Sequence, residues 1–168
     1  LIALLLFFLL STSDIEIEEP YVPECYQEVY NLYPSTFASV VFELPTYEQL
    51  GLSEEDYEFF ARVVAAECNG DIDNDYANQV AIAQVVWNRV ASPNFPDTVH
   101  DVLTQYGQFT TVKNGKCNKE TNDLCRRAIL EAYAYPLHPE NIIYFNCVGF
   151  FHGHEAYLKI SDNYFSYE

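Results

Sequence analysis

The chain has 168 residues, room for one folded domain and a tail but scarcely for two full domains. With 49% hydrophobic and 16% aromatic residues it can build a real core, and fourteen tyrosines and twelve phenylalanines favour an aromatic-lined cleft or a tyrosine-rich surface. A net charge of −17 argues against nucleic acid and against anionic membrane surfaces, and it gives no long-range help toward an acidic polymer. Such a polymer would have to be held at short range, by hydrogen bonds and ring stacking.

Residues 1–10 are all apolar and are followed by Ser11-Thr12-Ser13. The run is too short to span a bilayer and has the length of a signal-peptide core. With no initiator methionine and no basic flank, the sequence is expected to begin inside a longer precursor. Residues 1–13 then read as the remnant of a signal peptide or of a membrane anchor, and either places the rest outside the cytoplasm. A buried N-terminal helix is the alternative. Residues 14–50 are acidic and hold four of the eight prolines, Pro20, Pro23, Pro34 and Pro45. This stretch reads as a linker with some aromatic docking onto the domain behind it.

The folded domain is expected over residues 51–168. Ser53 followed by Asp56 is a capping-box-like start, with Glu54 and Glu55 favourable in the first turn. Phe60, Val63, Val64 and Glu67 then follow the i, i+3, i+4, i+7 rule, so Glu67 falls on an apolar stripe. Asn69-Gly70 signals the helix end and puts Glu67 in the last turn. An apolar surround and the negative end of the helix dipole both disfavour its charged form, which raises its pKa. A general acid working near neutral pH needs that. The alternative is a surface glutamate that happens to fall there.

Asp71-Ile72-Asp73-Asn74-Asp75 suggests a calcium loop, but its sixth and twelfth positions are Tyr76 and Ile82, so the EF-hand pattern fails. Asn74 or Asp75 is expected to cap a helix over about residues 76–91. That helix is apolar on nearly every side and belongs in the centre of a domain. Gln84 and Asn88 share one stripe on it with Ala77 and Ala81. They read as ties to loops, with a place in the cleft as the alternative. Asp97 or Thr98 caps a short helix ending before Gly107, and Lys113-Asn114-Gly115-Lys116 reads as a polar, exposed loop. A helix is expected over about residues 121–135, stopped by Pro136. Residues 142–145 are strand-like, and residues 157–160 and 164–167 read as a hairpin across Ser161-Asp162-Asn163. Helices first and a few late strands make the fold class α+β.

The five cysteines contain no C-x-x-C pair, so a zinc ribbon is not expected. Cys117 and Cys125 flank a polar stretch and could close it as a disulfide. His152-Gly153-His154-Glu155 lacks a third ligand of matching spacing, so no metal and no cofactor are expected.

Ala61-Arg62-Val63-Val64-Ala65-Ala66-Glu67 followed by Gln79-Val80-Ala81-Ile82-Ala83-Gln84-Val85-Val86-Trp87-Asn88-Arg89-Val90 resembles the cell-wall hydrolase family typified by the spore cortex-lytic enzyme SleB. So do Ser92-Pro93-Asn94-Phe95-Pro96-Asp97-Thr98-Val99, Gly107-Gln108-Phe109-Thr110, Ile143-Tyr144-Phe145-Asn146 and His154-Glu155, in order and at matching spacing over about residues 59–165. The resemblance implies a mostly helical, lysozyme-like core with a small late sheet, and a domain that cleaves peptidoglycan glycan strands. It implies Glu67 as the catalytic acid and Gln108, Phe109, Tyr144 and Asn146 as cleft residues. Cys68, Trp87, Cys147 and Asn163 depart from the family pattern, and residues 147–153 match it poorly.

Hydrolysis of a glycosidic bond normally takes two carboxylates. Only Glu67 is well placed in the pattern, since Asp71, Asp73 and Asp75 read as solvated loop residues. A single carboxylate suffices for a lytic transglycosylase, in which the 6-hydroxyl of the muramic acid attacks its own ring carbon. A hydrolytic muramidase or glucosaminidase, a thiol hydrolase using Cys68 or Cys147, and a non-catalytic wall-binding module are the alternatives. The expected partner is peptidoglycan, with no nucleic acid and no membrane beyond an N-terminal anchor; the oligomeric state is left open.

Overall fold

The computed structural model describes residues 21–23, 27–32, 42–68, 75–118 and 120–168. Within these, a short helix α1 (Gln27–Leu32) precedes α2 (Glu54–Glu67), α3 (Tyr76–Ala91), α4 (Val99–Thr104), α5 (Thr110–Lys113), a 3-10 turn (Lys116–Asn118) and α6 (Asp123–Ala134). Strands β1 (Ile142–Asn146), β2 (Ala156–Ile160) and β3 (Asn163–Tyr167) close the chain. The fold is therefore α+β, mostly helical with a small sheet at the end, as the residue pattern implies.

Three of the helices begin where a side chain accepts from a free backbone N–H group. The Ser53 hydroxyl oxygen accepts from the Asp56 N–H at 3.1 Å, Thr98 does the same for Asp101 at 3.1 Å, and Asn122 Oδ1 accepts from Cys125 N–H at 3.0 Å. Asp75 occupies the corresponding position before α3 but makes no side-chain bond to the helix backbone. Its Oδ2 accepts instead from Asn78 Nδ2 at 2.8 Å.

Helix α3 is the centre of the domain and packs chiefly against α6 and β1. Val80, Ile82, Ala83, Val85 and Val86 are fully buried and meet Phe60, Val63 and Val64 of α2 and Ile129 of α6. Trp87 lies edge-on to Phe60, and its Nε1 donates to Ile129 O at 3.0 Å. The polar side chains of α3 fasten the crossover from α6 to the sheet. Gln84 Oε1 accepts from the N–H groups of Leu137 and His138, both at 2.9 Å, while its Nε2 donates to His138 O. Asn88 Nδ2 donates to Pro139 O at 3.0 Å and to Ile142 O at 2.9 Å. These residues are ties to loops, as their stripe predicts.

The sheet has order β1-β3-β2, antiparallel throughout. Phe145, Phe165 and Leu158 share the face that meets the helices, whereas Asn146, Tyr164 and Lys159 share the outer face. The β2–β3 turn is Ser161-Asp162, and Ser161 takes a positive φ of 49° there. Ahead of the domain, Tyr21 donates to the buried Glu131 of α6, which also accepts from Tyr76 OH at 2.7 Å. Tyr47 stacks on Tyr57 at 5.0 Å.

The Lys113–Lys116 stretch is a polar turn with Lys113, Asn114 and Lys116 exposed; it joins the helical turn Thr110–Lys113 to the 3-10 turn Lys116–Asn118, with Gly115 at φ 73°. One expectation changes. Cys117 and Cys125 are not joined by a disulfide. Both are buried and fill the core as small apolar side chains. The expected helix at residue 121 begins at Asp123, where Asn122 supplies the cap. The apolar residues 1–10, the acidic run 14–19 and the aspartates Asp71 and Asp73 lie outside the described residues. Among the described residues no helix is long and apolar enough to cross a membrane.

Gln84→Leu removes the partners of three backbone groups, the buried N–H and C=O of His138 and the part-buried N–H of Leu137, while nearly preserving volume. It should lower unfolding free energy by about 3 kcal/mol in chemical denaturation; a loss below about 0.5 kcal/mol would contradict the assigned role of the amide.

Candidate functional site

Glu67 is the last residue of α2. The stripe of Phe60, Val63 and Val64 carries it inward, and its side chain is half-buried. Burial pushes its carboxyl above the ordinary value of 4.5, while hydrogen bonds from Thr111 and the positive charges of Arg89 and Lys116 pull the other way. Burial is the largest of these effects, so the net direction is upward. The Thr111 hydroxyl donates to Glu67 Oε1 at 2.5 Å. Thr111 is itself buried on α5, so the turn after Phe109 brings this hydroxyl to the carboxyl.

The backbone around Glu67 is fixed from the sheet. Asn163, buried at the start of β3, donates from Nδ2 to Glu67 O at 3.3 Å and to Asn78 Oδ1 at 3.2 Å. Asn78 reaches Asp75 in turn, and Asp75 Oδ1 accepts from Ser161 Oγ of the β2–β3 turn. The end of α2, the start of α3 and the hairpin are thus one polar network. Cys68 is buried beside it, and burial pushes its thiol well up, away from the thiolate a nucleophile needs.

Arg89 is the residue that sequence reasoning missed. It stands in the Trp87-Asn88-Arg89-Val90 stretch, yet an arginine on a helix is by default a surface residue. Here it is buried, with Nε donating to Ile143 O at 2.8 Å. Its guanidinium lies 5.2 Å from the ring centres of both Phe95 and Phe109. Burial lowers its pKa to about 10, with Tyr144 and Glu67 opposing that shift. It therefore stays charged and acts as a fixed cation whose charge reaches the Glu67 carboxyl. Its advance signal is a single charged residue in a helix otherwise apolar on nearly every side.

The other expected site residues fall into different places. Tyr144 is half-buried on β1, stacked on Phe151 with ring centres 4.7 Å apart and 4.4 Å from the His154 ring. Asn146 Oδ1 accepts from Val148 N–H at 2.8 Å and so shapes its own loop. Gln108 is half-buried in the turn before α5, its N–H donating to Gln105 O at 3.2 Å. Phe109 is 3% exposed and packs between Arg89 and Phe145. Glu67, Thr111, Arg89 and Phe109 are brought together; Tyr144 reaches them through Arg89.

Residues 73–159 match the Cell Wall Hydrolase family. The chain belongs to that family. The spore cortex-lytic enzyme of Oceanobacillus iheyensis is 40% identical over 82 residues, covering 49% of this chain and 29% of the relative. That of Bacillus subtilis is 36% identical over 97 residues, covering 57% of this chain and 31% of the relative. The chain thus spans under a third of the length of these curated relatives. Among solved structures, the catalytic domain of the germination-specific lytic transglycosylase SleB from Bacillus anthracis aligns with a TM-score of 0.55 at 28% identity, covering 69% of this chain and 97% of that one. The catalytic domain of the Bacillus cereus SleB protein aligns at 0.58 and 28%, covering 73% and 94%. This member of the Cell Wall Hydrolase family therefore has the SleB catalytic-domain fold.

The raised Glu67 carboxyl has a consequence for stability. The folded state holds that proton more tightly than the unfolded chain does, so its contribution is complete below the ordinary value of 4.5 and is lost as pH rises through the folded value. Glu67→Gln should therefore gain stability relative to the parent as pH rises from about 4.5 toward neutrality. Thermal unfolding at a series of pH values reads the difference; a pH-independent offset would mean the carboxyl is not perturbed.

Proposed function

We propose that this domain cleaves peptidoglycan glycan strands between N-acetylmuramic acid and N-acetylglucosamine as a lytic transglycosylase, with Glu67 as the single general acid and base. The observation that carries the reading is a half-buried carboxyl of raised proton affinity, held from one side by Thr111, in a member of the Cell Wall Hydrolase family. Thr111 holds Oε1, and in this reading the raised proton affinity keeps the carboxyl protonated before it meets substrate. Glu67 gives that proton to the glycosidic oxygen as the bond to the anomeric carbon breaks. The carboxylate then takes the proton of the 6-hydroxyl of the same muramic acid, whose oxygen bonds to that carbon. The product is a 1,6-anhydro end, Glu67 is protonated again, and no water is consumed.

A hydrolytic route would need a second carboxylate across the sugar. Asp75, the next acidic residue in the chain among the described ones, is occupied by Asn78 and Ser161. That favours the intramolecular route. The substrate lies in the cell envelope, and the protein is proposed to act there.

Glu67→Gln should lower kcat on purified peptidoglycan by about a thousandfold or more. Mass spectrometry of the parent's products should find muramyl ends lighter by one water than hydrolysed ones; reducing ends alone would replace this reading with hydrolysis. Activity should fall on the alkaline side as Glu67 ionises. Thr111→Val removes a bond that favours the carboxylate, so it should move that limb to higher pH; an unmoved limb would deny the contact a role in setting the proton affinity.

A further inference from the structure

Residues 147–153, which resemble the family pattern poorly, lead through His154 and Glu155 into β2 as one loop. It is not loose. Val148 N–H donates to Asn146 Oδ1 at 2.8 Å, Phe151 N–H to Ser166 Oγ at 3.1 Å, and His154 N–H to Phe151 O at 3.2 Å. The loop is folded back over the sheet face that turns away from the helices. There Phe151 lies nearly parallel to Tyr144, at 4.7 Å and 10°, and Phe150 meets Tyr164 edge-on at 5.2 Å. Despite this support the rings remain open to solvent, with Phe150 43% and Phe151 40% exposed beside Val148 at 87%.

We propose that Phe150 and Phe151 form an aromatic ledge on which sugar rings of the glycan strand stack, extending the binding track outward from the reaction centre. The inference rests on the peptidoglycan reading above and names where that substrate continues. Three observations commit the ledge to this occupant. First, packing links it to the site: Phe151 stacks on Tyr144, Tyr144 lies against Phe95, and Phe95 covers the Arg89 guanidinium whose charge reaches Glu67. Second, its charge is low. The chain has 25 acidic residues in 168, yet Glu155 is the single one in residues 141–155, and Lys159 sits over the Tyr164 ring at 5.1 Å. An acidic polymer is repelled less there than over the rest of the surface. Third, flat rings already stacked from below lose little freedom on binding and offer an apolar face to the C–H face of a pyranose.

The test uses the Glu67→Gln protein, so that binding is read without cleavage, and insoluble peptidoglycan as the probe in a sedimentation assay. Phe150→Ala and Phe151→Ala should each weaken binding roughly fivefold or more, with Phe151→Trp restoring it. In the active background the same alanine variants should raise KM far more than they change kcat. Unchanged binding in both alanine variants would overturn the ledge. So would equal loss in Phe151→Trp, which would make the ring a support for Tyr144 only. A concentration-dependent dimer that Phe150→Ala dissociates would assign the rings to a second copy of the chain instead. Should the parent bind the wall but fail to cut it, the reaction reading falls and the ledge stands; should it cut normally with both rings removed, the reverse holds.

Discussion

A carboxyl group at the end of an amphipathic helix would ordinarily be drawn into water. In α2 the stripe of Phe60, Val63 and Val64 leaves Glu67 no such choice, because turning it outward would expose three fully buried side chains. The carboxyl is therefore desolvated, and the rest of the site limits what that costs. Thr111 gives it a hydrogen bond and Arg89 a nearby positive charge, yet burial remains the largest effect. The site balances enough polar support to keep the group folded inward against enough desolvation to keep it an acid.

The remainder of the fold maintains that balance. Arg89 cannot drift toward Glu67 and neutralise it fully, because its Nε is committed to Ile143 O and its plane is held between Phe95 and Phe109. Asn163 fixes the carbonyl of Glu67 from the sheet, which couples the helix end to the late strands. Gln84 and Asn88 hold the crossover into β1, and so hold Tyr144 and the aromatic rings beyond it. The small sheet thus acts as a brace on one side and presents an aromatic surface on the other.

Much of this is legible in the sequence where the signal is local. The Ser53 cap, the stripe that ends in Glu67, the amides of α3 and the Ser161-Asp162 turn all derive from spacing and turn chemistry within a few residues. The parts that are not legible depend on contacts between distant segments. Thr111 meets Glu67 across 44 residues, and nothing in Thr110-Thr111 foretells it. Arg89 looks like a surface cation until Ile143, Phe95 and Phe109 close over it. Phe109 reads as a cleft residue because it lies in a motif stretch, and its packing against Arg89 and Phe145 is set by residues distant in the chain. Cys117 and Cys125 flank a polar stretch in sequence, while in space both side chains point into the core. The family resemblance supplies the order of the pieces and the proposed acid; the residues that would tune it emerge only from the fold.

Carbon-13 NMR titration of the Glu67 carboxyl in the intact protein, assigned by difference from Glu67→Gln, measures the quantity on which all of this depends. A titration midpoint clearly above the ordinary 4.5 is expected. A midpoint at or below that value would mean that Thr111, Arg89 and Lys116 outweigh burial, and that the group stands ionised near neutral pH with no proton to give.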